Sequence, residues 1–285
     1  MASSREIAER VGSLQQLLEI VGAFRAMAAT QMQQSEHSLV AIRRYAEIIR
    51  SGLAEATALA PSDHDGAIVS RLPRAALVVF CAEHGFCGAF NEPMIAATQS
   101  AIERDPNLQV VFVGVRGAQR AVEGDLRPQL TIPMASHSGA VTATARRVAA
   151  WVSEMLAKSS VTSIDLLFTR FGGAQRGAAE RVSLLPLDTS VIKATQTPTP
   201  PLVNVSPRQL FDELAAEYVF SVIQEAAMES FASENAARFR MMEAARENIQ
   251  KKANELGALA RRMRQDAVTA EILEIIGGFE AMNER

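Results

Sequence analysis

The stretch Arg262-Met263-Arg264-Gln265-Asp266-Ala267-Val268-Thr269-Ala270-Glu271-Ile272-Leu273-Glu274-Ile275-Ile276-Gly277-Gly278 closes a run, residues 206–285, with no proline after Pro207. Within that run Met242, Ile249, Leu256, Met263 and Ala270 recur every seven residues. This is the stride of a helix packing along one seam. The run reads as one very long helix, on the order of 100 Å at a rise of ~1.5 Å per residue. A helix of that length extends beyond any core the chain builds alone. Ser206 with Gln209 three residues on, and Pro207 at the first helical position, predict a capping-box start.

The opposite end of the chain carries the matching element. Residues 4–59 contain no proline, and two interleaved seven-residue series run through them. One is Ile7, Leu14, Val21, Ala28, Ser35, Ile42 and Ile49; the other is Val11, Leu18, Arg25, Met32, Leu39, Ala46 and Leu53. A sustained seven-residue stride predicts a left-handed supercoil with a partner helix. Two such helices in one chain can bury their seams against each other as an antiparallel coiled coil. Arg25 and Ser35 break the pattern, and a charge on the seam is expected to face water or another subunit, with its stem lying along the seam edge.

Between the helices the character of the sequence changes. Ala60-Pro61-Ser62-Asp63-His64-Asp65-Gly66 is a breaker cluster, and Thr197-Pro198-Thr199-Pro200-Pro201 an extended linker. The expected division is a helix at 1–60, an inserted domain at 61–205 and a helix at 206–285. Inside the insert, 75–81 and 110–115 are continuous apolar runs, with helical spacing at 92–104. Residues 125–138 read as a loop with a short strand at 130–132, followed by a helix at 139–158. Strands at 164–171 and 181–187, with Gly172-Gly173 turning between them, close the domain. Continuous apolar strands alternating with helices predict a Rossmann-like α/β domain whose mostly parallel sheet is covered on both faces.

Composition limits the function classes. The 285 residues are 48% hydrophobic, 5% aromatic and carry a net charge of -3, which gives no concentrated basic face for nucleic acid. Two cysteines, Cys81 and Cys87, form no disulfide framework and no four-ligand zinc set. The charged N-terminal stretch lacks the apolar core of a secretory signal, and no window approaches ~18 consecutive apolar residues. A cytoplasmic location is expected, with membrane contact made through a partner.

Candidate chemistry is sparse. Glu83-His84-Gly85-Phe86-Cys87-Gly88-Ala89-Phe90-Asn91 lies between a strand and a helix, where a glycine-rich turn can cradle phosphate. It lacks both the Gly-Lys-Ser/Thr and the Gly-x-Gly-x-x-Gly patterns, and a structural tight turn is the favoured reading. Cys87 beside His84 invites a nucleophile reading, yet no orienting third group is apparent, so a packing cysteine is expected. His37, His64, His84 and His137 show no metal-ligand spacing. Glu271 and Glu274 share a helical face, as solvated carboxylates do. No cofactor or metal site is predicted.

At the last helix the residues meet a known pattern. Arg262-x-Arg264-Gln265-x-x-Val268-Thr269-x-Glu271-Ile272-x-Glu274-Ile275-Ile276-x-Gly278 closely resembles the C-terminal signature of the gamma subunit of F-type ATP synthases. Gly85-Phe86-Cys87-Gly88-Ala89-Phe90-Asn91 and Ser233-Glu234-Asn235-Ala236-Ala237-Arg238 resemble two further family motifs in the right order. Arg10-Val11-x-Ser13 and Ala28-Ala29 fit its opening helix.

The resemblance implies a non-catalytic central rotor shaft, whose terminal helices form a coiled coil inside a ring of alternating alpha and beta subunits. The α/β domain would sit against the epsilon subunit and the membrane c-ring, giving peripheral association with the cytoplasmic side of a bacterial inner membrane. Arg264, Gln265 and Thr269 match positions that contact the beta-subunit catch region, and Glu271 belongs to the same signature. At Glu19 and Gln31 the family usually carries lysine, and at Ala82-Glu83-His84 it usually has Ser-Asp-Arg or Ser-Asp-Lys. These departures point to a divergent bacterial branch and weaken the basic contact expected of the N-terminal helix.

Two competing readings are a coiled-coil filament or scaffold protein and a nucleotide-binding α/β enzyme. The arginines at 238, 240, 246, 261, 262 and 264 argue against a filament helix. The enzyme would require tight nucleotide binding within residues 61–200.

Overall fold

A computed structural model describes residues 4–59, 74–172, 177–187 and 203–283. The elements run α1 (Ser4–Leu59), β1 (Ala75–Phe80), α2 (Glu92–Arg104), β2 (Gln109–Val113), α3 (Val115–Glu123), β3 (Leu130–Ile132), α4 (Val141–Ala157), β4 (Ser163–Arg170), β5 (Ala178–Leu185) and α5 (Pro207–Asn283). The breaker cluster from Ala60, Gly173 of the expected turn, and the linker Thr197–Pro201 lie outside the described residues. Backbone proximity divides the chain into two compact units, Met1–Met27 with Phe239–Arg285, and Ala28–Arg238.

The larger unit is built on a five-stranded sheet of order β3-β2-β1-β4-β5. All its pairings are parallel except β4 with β5, the returning strand expected from the sequence. Because side chains alternate across a strand, β1 feeds two cores. Leu77, Val79 and Cys81 join Phe112, Met94 and Ile95 of α2, and Ala118 and Ala121 of α3. Ala76, Val78 and Phe80 point the other way, into a cluster with α4, with Leu39 and Ile42 of α1, and with Ile223, Ala226, Ala227 and Phe231 of α5. Each large side chain seated this way contributes roughly 1.5–3 kcal/mol, so the long helices serve as one cover of the sheet.

Helix α3 was not legible in advance. The expected strand at 110–115 ends at Val113, and Gly114 turns the chain at φ 122° into α3. A side chain at Gly114 would strike the Cys81 carbonyl. One at Gly117 would overlap the Cys81 side chain and come 3.2 Å from Asn91 Oδ1. The two glycines let α3 dock at the end of β1, where Gly117 N–H donates to the Ala82 carbonyl at 2.9 Å.

The heptad series hold: all fourteen positions named on α1 are buried or half-buried. In the larger unit the pairing of α1 with α5 is antiparallel. Arg43 bonds Glu229, Tyr45 bonds Glu217, and Leu53 packs with Phe211 and Leu214. In the smaller unit Arg25, a third exposed, also finds a partner that the sequence did not name. Its Nη1 donates to Glu243 of α5 at 2.9 Å, and its guanidinium sits 5.8 Å from the Phe239 ring. Ser35 is buried and donates to the Gln31 carbonyl at 2.7 Å.

Two other expectations are corrected. The Ser206 hydroxyl does accept from Gln209 N at 3.3 Å, but the Gln209 amide turns forward to Glu213 at 2.9 Å, leaving half a capping box. The α5 seam is covered as far as Met263, whereas Ala270 is exposed.

Candidate functional site: a pinned segment and an uncovered end of one helix

Residues 221–236 of α5 are buried or half-buried throughout and contain three carboxylates, Glu225, Glu229 and Glu234, for which the sequence reading named no hydrogen-bond partners. Glu229 is fully buried. Its Oε2 accepts from the Phe171 backbone N–H at 2.7 Å, and its Oε1 from Arg43 Nη2 and, at 3.4 Å, Arg170 Nη1. Arg170 also grips Glu180 of β5 with Nε and Nη2, the latter at 2.6 Å. Glu225, one turn before Glu229, lies 3.8 Å from Arg43 Nε and 3.7 Å from Arg170 Nη1. The Arg170 hydrogen bond holds the Glu180 carboxyl below the usual range, whereas burial pushes Glu225 up against the pull of Arg170, Arg43 and Arg50.

Glu234, also buried, organises the glycine-rich turn. It accepts from Glu83 N at 3.3 Å, from His84 N at 3.4 Å and from Arg238 Nη2. Arg238 in turn donates from Nε to the Gly85 carbonyl at 3.2 Å. Glu83 caps two more backbone groups, Val115 N at 3.0 Å and Met134 N at 2.7 Å. The amides at the loop start, which an incoming phosphate would need, are therefore engaged by a carboxylate of α5. Ser230 donates to the Phe80 carbonyl at 3.4 Å and Ser233 to the Thr169 carbonyl at 3.1 Å. Ser230 and the Ser233-Glu234-Asn235 motif together stitch α5 to β4 and to the end of β1 and the turn that follows it.

The cysteines follow the packing reading. Both are buried, and burial pushes the Cys87 thiol up to about 11, away from the thiolate a nucleophile needs. Cys81 is raised further by the same cause. The Cys87 thiol lies 3.7 Å from the His84 backbone carbonyl. Among the described residues no cluster of His, Cys, Asp and Glu could hold a metal ion.

Of the two departures on α1, Glu19 is exposed. Gln31 has work inside the chain: its Oε1 accepts from Ser138 N at 2.9 Å, beside Gln34, whose Oε1 accepts from the Ser138 hydroxyl at 3.2 Å. The glutamine fixes the entry to α4, a seat in which lysine could not accept.

The far end of α5 has the opposite character. Every residue from 264 to 277 is exposed, including Val268, Ile272, Leu273, Ile275 and Ile276, with Leu273 at 63%. Arg264, Gln265 and Thr269 come together with Arg261 and Val268 around an open groove of about 310 Å³. The Thr269 hydroxyl is spent on the Gln265 carbonyl at 2.8 Å. Glu271 does not line the groove, although it lies seven residues beyond Arg264 and so shares its face. Five large apolar side chains bare on one helix end form an exposed patch of the kind that marks interaction surfaces.

The comparisons agree along the chain. The family profile for ATP synthase matches residues 3–282. The ATP synthase gamma chain of Heliobacterium modesticaldum is 28% identical over 299 residues, covering 99% of this chain and all of that one. That of Anaeromyxobacter dehalogenans is 28% identical over 292 residues with the same coverage. The chain belongs to the ATP synthase gamma family. A chain in the Euglena gracilis mitochondrial ATP synthase structure containing OSCP, F1 and the c-ring shares the fold, with a TM-score of 0.68 at 18% identity over 98% of this chain and 94% of that one. As a member of this family the protein is a non-catalytic central-stalk rotor subunit of a membrane-associated complex, with catalysis in the beta subunits. None of its described helices is long and apolar enough to cross a membrane.

Proposed function

We propose that this gamma-type rotor turns within a ring of alpha and beta subunits, and that Arg264, Gln265, Thr269 and Glu271 meet the beta-subunit catch region. Its remaining partners on this reading are the epsilon subunit and the membrane c-ring, and its place is the cytoplasmic face of a bacterial inner membrane. The working division is a helix at 1–60, an α/β domain at 61–205 and a helix at 206–285.

The observation that carries this reading is the bare end of α5, where polar groups and large apolar side chains alternate without cover from any other described residue of the chain. Such a surface is unfavourable in water and favourable inside an apolar sleeve. A tagged copy purified from its native membrane should bring alpha and beta subunits in threefold excess, in a complex that hydrolyses ATP. Recovery of the chain alone, or as fibres of itself, would overturn the reading.

A further inference from the structure

The charged network around Glu229 is more than an anchor requires. Five side chains from four elements converge there: Arg43 of α1, Arg170 of β4, Glu180 of β5, and Glu225 and Glu229 of α5. If the only task were to hold α5 on the sheet, apolar side chains would suffice, because replacing a buried ion pair by well-packed hydrophobics is often neutral or stabilising. Apolar contact is also non-directional. A helix seated on alanine and phenylalanine can turn about its axis while losing little buried area. Charge-assisted hydrogen bonds resist that motion, since they weaken steeply with angle and are roughly twice as strong as neutral ones.

Glu229 is placed to supply that resistance. It is 0% exposed, and its two oxygens are held from different directions. The Phe171 amide binds one, and the Arg43 and Arg170 guanidinium groups bind the other. Arg170 is itself immobilised by Glu180 and rests 5.6 Å from the Phe168 ring. Ser230 and Ser233, one and four residues further along α5, bond to the carbonyls of Phe80 and Thr169. The register of α5 is thus fixed against both the β4–β5 edge and α1.

We propose that Glu229 is a torque-bearing positioning residue, whose lock with Arg43 and Arg170 fixes the rotational setting of α5 against α1 and the sheet so that load passes from the α/β domain into the helices. This rests on the rotor assignment. A residue needed only for folding would matter for stability and not for stiffness.

The test uses complete, reconstituted complexes with the alpha/beta ring fixed to a surface and a probe on the α/β domain. Angular fluctuation of the probe is recorded during catalytic pauses. Glu229→Gln keeps the shape and removes the charge; its mean-square fluctuation should widen about twofold, as the bonds fall to neutral strength. Glu229→Asp should recover part of the wild-type stiffness. If Glu229→Gln fails to assemble, Arg43→Gln takes its place, because its side chain is 44% exposed and Glu229 keeps Arg170 and Phe171; it too should widen the distribution. Fluctuation equal to wild type in an assembled variant, with only the melting temperature lowered, would overturn the proposal while leaving the rotor assignment intact. Failure of the wild-type chain to assemble with ring subunits would overturn both.

Discussion

Two segments of the same helix are read by different surroundings. At 221–236, α5 buries two glutamates and makes them structural by surrounding each with arginines and backbone amides. At 264–277 it leaves leucine and isoleucine in water. By residue type alone the two segments would exchange places, with glutamates outside and isoleucines inside. The inversion teaches that the first segment is completed by its own chain, whereas the second, on the proposed function, is completed by a surface that another chain supplies.

The comparison breaks most severely at Glu229. Glu229→Ala leaves Arg43, Arg170 and the Phe171 amide without their shared acceptor, though both arginines are partly exposed and keep Glu225, and should cost the isolated chain about 1.5–3 kcal/mol. Urea unfolding followed by circular dichroism measures it; a loss typical of a surface glutamate would show that the network carries little. Next in size is Gly117→Ala, which pushes a methyl into Cys81. Such overpacking should cost about 1–3 kcal/mol, read in the same assay, and a neutral outcome would mean that α3 does not dock as closely as described.

A third prediction concerns pH. Burial raises the Glu225 carboxyl above its ordinary value, so between the two values the folded chain holds a proton that the unfolded chain has released. Stability therefore falls as pH rises through that window. Glu225→Gln cannot titrate, and its stability relative to wild type should climb across the same window in urea midpoints taken over a pH series. A constant difference at every pH would contradict the burial of that charge.

The smallest effect on the isolated chain belongs to the bare end. Arg264→Ala and Gln265→Ala should shift unfolding by no more than about 0.5 kcal/mol, as exposed substitutions do. In assembled complexes the same changes should lower coupled ATP turnover, because a desolvated charged hydrogen bond is worth about 1.5–3 kcal/mol. Normal turnover in both variants would remove these residues from the proposed beta contact.

Periodicity made the two long helices and the covered sheet legible, since burial at seven-residue and two-residue strides leaves a mark along the chain. The fourteen seam positions of α1 and the apolar strands β1, β2 and β4 are of this kind. Helix α3 escaped because it is nine residues long and carries Gly117 for a close approach that only the folded chain reveals. Glu229 and Glu234 escaped for a different reason. A glutamate on a helix looks like a solvated face, and the partners that bury Glu229 lie 186 residues away at Arg43 and 59 away at Arg170. The one local hint was its setting among Ala226, Ala227, Met228 and Ala232. The partner of Arg25 was not legible because a charge on a seam can be answered by the opposing helix of the same chain, here through Glu243. The polar groups at 264, 265 and 269 were legible only through the family pattern, since nothing in their spacing separates a contact from an exposed face.

Hydrogen exchange along α5, in the isolated chain and after addition of alpha and beta subunits, tests the contrast most directly. Amides at 221–236 should be protected in both states, while those at 264–277 should exchange quickly alone and slow markedly in the complex. Strong protection at 264–277 in the isolated chain, or none in the complex, would contradict the assignment of that end to a partner's surface.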